Sequence, residues 1–220
     1  MSLWIKICAN TSLEDARMAA KAGADAVGFV FAPSPRRVSV PQVAEIVPRL
    51  PESVEKIGVF VDEQVDEIAS AVRASRLTGV QLHADCGSDA AARLRAEFGP
   101  VLHILRVVHF GPDAAGQATL YAADPNVDAV LVDSRTATAV GGTGVAFDWD
   151  AASLTLFGSG AAKLIAAGGL RPDNVAEAIA KLRPWGADVA SGVEAWPGRK
   201  DAAKVREFIE NARSASSQHG

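Results

Sequence analysis

From end to end the chain alternates short apolar runs with amphipathic stretches, and no other feature constrains its fold as much. The apolar runs predict strands near 3–8, 25–31, 55–61, 78–82, 100–107, 128–133, 163–167 and 187–190. The amphipathic stretches predict helices near 12–22, 40–49, 63–74, 87–98, 112–121, 149–157, 172–182 and 200–213. The fifth is the weakest of these, being short, Gly-bearing and poor in large apolar residues. Eight βα units follow one another with no linker or low-complexity break, which predicts one α/β domain over 1–220, folded as a (β/α)8 TIM barrel. A doubly wound sheet is the topological rival. The tail 214–220, Ser-Ala-Ser-Ser-Gln-His-Gly, is expected to fray.

Local signals agree with this reading. Thr11 followed by Glu14 predicts a capping box that opens the first helix just after Cys8. Pro172 fits the first turn of a helix, where its missing N–H costs nothing. Gly23-Ala24-Asp25-Ala26-Val27, Asn126-Val127-Asp128-Ala129-Val130 and Gly186-Ala187-Asp188-Val189 echo one another, as a repeating βα unit or as three uses of one convenient turn.

Hydrophobic residues make up 49% of the chain, enough for a sizeable core, while a net charge of −4 argues against a nucleic-acid or membrane-surface protein. No stretch approaches the roughly 18 apolar residues of a membrane span. The N-terminus carries no basic-then-apolar leader, so a reducing cytoplasm is the expected compartment. The two cysteines indicate no disulfide scaffold. Four scattered histidines offer no metal-ligand spacing, so no metal is expected.

A barrel of this kind places its site where strands end and helices begin. Those positions hold Cys8, Arg36, Gln81, His83, Asp133, the Gly141-Gly142-Thr143-Gly144 loop, Gly168-Gly169 and Ser191-Gly192. Glycines after strands seven and eight leave backbone N–H groups open to a phosphate, although glycines also serve turns. In Ser34-Pro35-Arg36-Arg37 one arginine is placed to grip a carboxylate, against the plainer reading of a solvated basic loop. Cys8 is either a small buried hydrophobe or a reactive thiol. Asp133 is costly to bury unless paired, or else is a turn residue leading into Ser134-Arg135. If both belong to one barrel they converge at one rim as an acid–base pair. Gln81 and His83 alternate with apolar neighbours and so are expected to face the mouth, in a structural hydrogen-bonding role rather than a catalytic one.

Taken in order, Lys6-Ile7-Cys8, Gly23-Ala24-Asp25-Ala26-Val27-Gly28-Phe29-Val30-Phe31, Ser34-Pro35-Arg36, Gly58-Val59-Phe60-Val61, Val80-Gln81-Leu82-His83, Val132-Asp133-Ser134, Gly141-Gly142-Thr143-Gly144, Phe147-Asp148-Trp149, Gly168-Gly169-Leu170, Ser191-Gly192-Val193-Glu194 and Pro197-Gly198-Arg199-Lys200-Asp201 resemble the phosphoribosylanthranilate isomerase family over nearly the whole length. The resemblance implies an Amadori rearrangement of N-(5-phosphoribosyl)anthranilate to 1-(o-carboxyphenylamino)-1-deoxyribulose 5-phosphate in tryptophan biosynthesis. It implies Asp133 as general acid and Cys8 as general base. Arg36 would hold the anthranilate carboxylate, and Gly168, Gly169, Ser191 and Gly192 the phosphate. Gln81, His83, Gly142 and Gly144 would complete the substrate site. The expected partner is this small phosphosugar, in a monomer or homodimer. Three positions depart from the family's pattern: Ala9 replaces a usual glycine, Arg37 a bulky residue and Ala190 a common serine.

Two rival readings stand beside it. A related phosphosugar isomerase of histidine biosynthesis would carry paired aspartates at strands one and six, which Cys8 contradicts. A catalytically silent phosphate-binding barrel would have no use for an acid–base pair.

Overall fold

The computed structural model describes residues 3–83, 86–133, 152–153, 156–157 and 162–217. Eight parallel strands close into a barrel in sequence order: β1 Trp4–Ile7, β2 Ala26–Val30, β3 Glu55–Phe60, β4 Gly79–Leu82, β5 His103–His109, β6 Ala129–Asp133, β7 Leu164–Ala167 and β8 Gly186–Val189. Closure comes from β8 pairing with β1, with Lys6 opposite Asp188 and Ile7 opposite Val189. The doubly wound alternative is thereby excluded. Helices α1 Leu13–Lys21, α2 Val40–Ile46, α3 Val65–Ser75, α4 Ala90–Phe98, α5 Ala114–Ala123, α6 Val175–Leu182 and α7 Ala202–Ser217 surround it.

The alternation of side chains along each strand separates two cores. Ile5, Ile7, Val27, Phe29, Val130 and Val132 face the helices. Trp4, Ala26, Ile57, Leu105, Leu131 and Ile165 fill the bore. No helix among the described residues is long and apolar enough to cross a membrane.

Several elements differ in detail from the sequence expectation. Strand β5 begins at His103, because Gly99–Val101 form a 3-10 turn around Pro100; it then runs to His109 and carries that residue to the rim. Ser12, not Thr11, caps α1: its hydroxyl accepts from Asp15 N, while Thr11 Oγ1 donates to the Gly198 carbonyl at 2.5 Å. Pro172 lies in the turn before α6 rather than in the helix. The last helix continues to Ser217, past the point where fraying was expected. Only 152–153 and 156–157 of the helix expected at 149–157 are described, and there Leu156 N donates to the Ala152 carbonyl.

The repeated aspartate motif resolves into two cases. Asp25 and Asp128 stand just before β2 and β6, and each accepts a 2.7 Å hydrogen bond from the preceding strand, at Ile5 N and Ile104 N. Asp188 is different, because its strand begins two residues earlier and turns it into the bore.

Candidate active site

The mouth of the barrel gathers the strand ends. Cys8 follows β1 directly and is 6% exposed; Asp133 ends β6 and is 4% exposed. Going round the closed sheet, β7 and β8 separate them, so they face the mouth from different sides of one rim. The backbone after Cys8 is specialised. Ala9 holds a φ of 61°, in the left-handed region that favours glycine. Asn10 pins this turn: its N–H donates to the Gly28 carbonyl at 2.9 Å, and its side-chain amide donates to the Ile7 carbonyl at 2.8 Å.

Under the thiol lies a buried polar cluster. Lys6 is two residues before Cys8 on the same face of the chain and has no exposed surface. Its ammonium donates to Asp188 Oδ1 at 2.7 Å and to Gln81 Oε1 at 2.8 Å. Burial alone would lower the Lys6 ammonium, but Asp188 and the Cys8 sulfur outweigh it and hold the group above its usual value. For Cys8, burial pushes the thiol above its ordinary 9.0 against the pull of Lys6; Asp188 adds to the rise and Lys200 opposes it.

Arg36 is fixed by a second network. Its Nε and Nη2 grip the Glu194 carboxylate at 2.8 and 2.6 Å. Glu194 opens a short hairpin, β9 Glu194–Trp196 and β10 Arg199–Lys200, and also accepts from Lys200 Nζ at 3.2 Å. Burial works against the Glu194 carboxylate, yet Arg36 and Lys200 hold it below its usual range. Lys200 is lowered by burial, which Glu194 and Cys8 offset only in part. Arg37 is exposed and turns outward, lining a groove of about 710 Å³ with Phe31, Phe60, Glu63 and Glu67 between α2 and α3. The two neighbouring arginines therefore face different surfaces.

Loops seven and eight interlock at the rim. Gly168 and Gly169 have φ of 80° and 64°, so two consecutive residues occupy the left-handed region. Asn174 clamps this loop, donating to the Gly169 carbonyl at 3.0 Å and accepting from Arg171 N at 2.7 Å. A Cβ at Gly192 would lie 1.9 Å from the Leu170 carbonyl oxygen, so the loop carrying Ser191 and Gly192 packs backbone against backbone on loop seven. Loop seven leads into α6 at Val175, and Ser191–Val193 of loop eight form a 3-10 turn.

The remaining predicted residues distribute as follows. Gln81 is buried in the bore with its carbonyl on Lys6, so it supports the cluster from within. His83, half-buried after β4, has its ring 5.5 Å from that of His109, whose buried Nδ1 has no hydrogen-bond partner. Gly142 and Gly144, with the rest of their loop, lie outside the described residues. No metal-ligating group of three or more side chains occurs among the described residues.

Sequence reasoning missed Lys6, Asp188, Glu194 and Lys200 as members of the site. Lys6 and Asp188 did carry a signal: each is a charge inside an otherwise apolar strand, which demands a buried partner.

These features agree with the comparisons to known proteins. A family model described as N-(5'-phosphoribosyl)anthranilate (PRA) isomerase matches residues 5–211. The N-(5'-phosphoribosyl)anthranilate isomerase of Myxococcus xanthus is 44% identical over 215 residues, which are 97% of this chain and 98% of that protein. The crystal structure of phosphoribosyl anthranilate isomerase from Thermotoga maritima superposes with a TM-score of 0.83 at 35% identity, covering 96% of this chain and 99% of that one. A crystal structure of phosphoribosyl anthranilate isomerase in complex with reduced 1-(o-carboxyphenylamino)-1-deoxyribulose 5-phosphate superposes with a TM-score of 0.80 at 32% identity, again covering 96% and 99%. With a matching model over nearly its whole length and a shared barrel, the chain belongs to the N-(5'-phosphoribosyl)anthranilate isomerase family.

Proposed function

We propose that Asp133 supplies the acid and Cys8 the base for the family's reaction in this chain, the Amadori rearrangement of N-(5-phosphoribosyl)anthranilate in tryptophan biosynthesis. Asp133 donates a proton to the furanose ring oxygen; the C1′–O bond breaks and the ring opens to an iminium. Cys8 removes the proton from C2′, and the C–H electron pair moves towards the iminium nitrogen to give an enolamine. Tautomerisation of the enolamine yields the ketose product. The iminium makes C2′–H acidic enough for a thiolate to act on it.

The observation that carries this reading is the pair itself. A thiol and a carboxyl, each almost fully buried, end β1 and β6 at the same rim. Loops seven and eight are the phosphate grip in this reading, supported by the consecutive left-handed glycines and the contact at Gly192. Arg36 takes the anthranilate carboxylate, supported by the fixed plane that Glu194 gives its guanidinium. Gln81 acts through Lys6, and His83 lines the mouth. The family resemblance assigns Gly142 and Gly144 to the same site.

The test is the loss of anthranilate-type fluorescence from freshly generated phosphoribosylanthranilate. Cys8→Ala and Asp133→Asn should each retain substrate binding and lose at least the ~10²-fold typical of an absent acid or base. Near-normal turnover in either variant removes that residue from the mechanism.

A further inference from the structure

A thiolate at Cys8 has to form in a place that burial makes hostile to it. We propose that Lys6 is the positioning residue for the base: its ammonium, fixed by Asp188 and Gln81, is the counter-ion against which the Cys8 thiolate forms. This rests on the reading of Cys8 as base and adds to it the group that makes the base available.

The geometry is specific. An ammonium has three N–H donors. Two are directed to Asp188 Oδ1 and Gln81 Oε1, at 2.7 and 2.8 Å, and the cation is electrostatically coupled to the Cys8 sulfur two residues on. The point where a Cβ would stand on Gly28 lies 2.7 Å from Cys8 Sγ and 3.0 Å from Lys6 Cε, so sulfur and lysine stem crowd against the same bare stretch of β2. With no exposed surface, Lys6 cannot be replaced by solvent ions or screened by salt.

A purely structural ion pair would be a poor reason to keep charge here. Burying two charges costs several kcal/mol per ion before their attraction is counted, and apolar residues of like volume often serve stability as well or better. The rest of the bore shows that alternative in use, with Ile57, Leu105, Leu131 and Ile165 at inward positions. Charge appears in the bore directly beneath the thiol.

Among the described residues, the groups facing Cys8 from each packed element are few. Lys6 comes from its own strand, Asp188 from β8 and Lys200 from β10, whose charge is balanced by Glu194 on β9. Strand β2 presents only Gly28, and β4 the uncharged Gln81. Lys6 is the strongest of the groups favouring thiolate, and Asp188 opposes it. When C2′–H breaks and S–H forms, the negative charge leaves sulfur for the organic fragment, and Lys6 remains an ammonium held by Asp188. The lysine thus never takes up or releases the proton.

The opposed signs of Lys6 and Asp188 supply the test. In a Cys86→Ala background Cys8 is the sole thiol, and absorbance near 240 nm, less that of the Cys8→Ala/Cys86→Ala protein titrated in parallel to remove the Tyr121 phenolate, reads its ionisation. Lys6→Met should move the thiolate titration and the basic limb of kcat/KM upward together by about one pH unit or more, a ~10-fold loss of thiolate at neutral pH. Asp188→Asn should move both downward. Because Lys6→Met leaves Asp188 buried without a partner, the double variant Lys6→Met/Asp188→Leu is measured beside it; it should fold as well as the wild type and show the upward shift. A thiolate titration unmoved in both the single and the double variant overturns the proposal. Full turnover in Cys8→Ala would instead remove Cys8 as the base, while the absorbance titrations would still report on Lys6.

Discussion

Gly28→Ala adds one methyl group at the point on which the thiol and the Lys6 stem converge. The new Cβ would stand 2.7 Å from Cys8 Sγ, 3.0 Å from Lys6 Cε and 3.1 Å from Cys8 Cα. Favourable contacts lie near 3.5 Å, so the sulfur must retreat by about 0.8 Å or swing to another rotamer. The Cys8 backbone has little room to yield, since its N–H is bonded to the Val189 carbonyl at 2.8 Å and the next residues are pinned by Asn10. A misplacement of about 1 Å at a reacting group costs roughly 10²-fold in rate, which is the expected loss in kcat. KM should stay near the wild-type value, because the proposed carboxylate and phosphate grips sit on other loops. Overpacking of this kind costs about 1–3 kcal/mol, and at ~2–4 °C per kcal/mol for a chain this size the Tm should fall by roughly 2–12 °C. Initial rates of fluorescence loss, taken well below the variant's Tm, give both kinetic constants. Wild-type kcat at wild-type KM would refute the placement of the thiol against β2 as a condition of catalysis.

Gly192→Ala should raise KM by at least ~10-fold and weaken inhibition by inorganic phosphate, because its Cβ would meet the Leu170 carbonyl oxygen at 1.9 Å and only a backbone shift of loop seven or eight relieves that; an unchanged KM would disconnect these loops from the phosphate. Glu194→Gln should raise KM more than it lowers kcat, since Arg36 loses a bidentate carboxylate and keeps Lys200 nearby as an uncompensated cation; unchanged KM would show that Arg36 needs no such anchor. Ala9→Gly should raise Tm: a left-handed alanine costs about 1–2 kcal/mol, of which the extra chain entropy of glycine returns roughly half. His103, bonded to Glu55 Oε2 at 2.9 Å, is held above its usual 6.5 chiefly by that hydrogen bond. Its contribution to stability is therefore complete below pH 6.5 and lost as pH rises through the raised value, so the Tm of His103→Gln should approach that of the wild type on the alkaline side; a gap independent of pH would contradict this.

The strands were legible in the sequence because each is a short apolar run between polar stretches, and the ends of two of them, Cys8 and Asp133, could be named from position alone. What could not be read was what each inward residue would meet. Lys6 in Trp4-Ile5-Lys6-Ile7 and Asp188 in Ala187-Asp188-Val189 become neighbours only when β8 closes onto β1, a contact between positions 182 residues apart. Asp188 even sat inside a motif shared with Asp25 and Asp128, and only the earlier start of β8 separates it from those turn residues. The same holds for the two arginines. Nothing local distinguishes Arg36 from Arg37; Glu194, 158 residues away, selects one of them. The capping error at Thr11 has the same origin, since its hydroxyl is drawn to Gly198 by tertiary packing and leaves Ser12 to cap the helix.

The costly features described here fall around one strand end. Ala9 holds a backbone conformation that suits glycine, Lys6 and Asp188 bring charge into the bore, and Gly28 leaves a bare patch of β2 so that a sulfur can approach closely. The first two lower stability relative to an ordinary alternative, glycine at 9 or an apolar pair at 6 and 188, and the third leaves a strand position without a side chain to pack. At the opposite end of the bore the chain takes the stabilising choice: Trp4 stacks on Trp185 at 5.4 Å, and Ala26, Ile57 and Ile165 pack around them. Native strain persists only where the surroundings over-determine it, and it gathers at functional sites. The gathering of these three features around Cys8 is thus an argument, independent of any relative, that the thiol is the part of the rim this barrel is built to position.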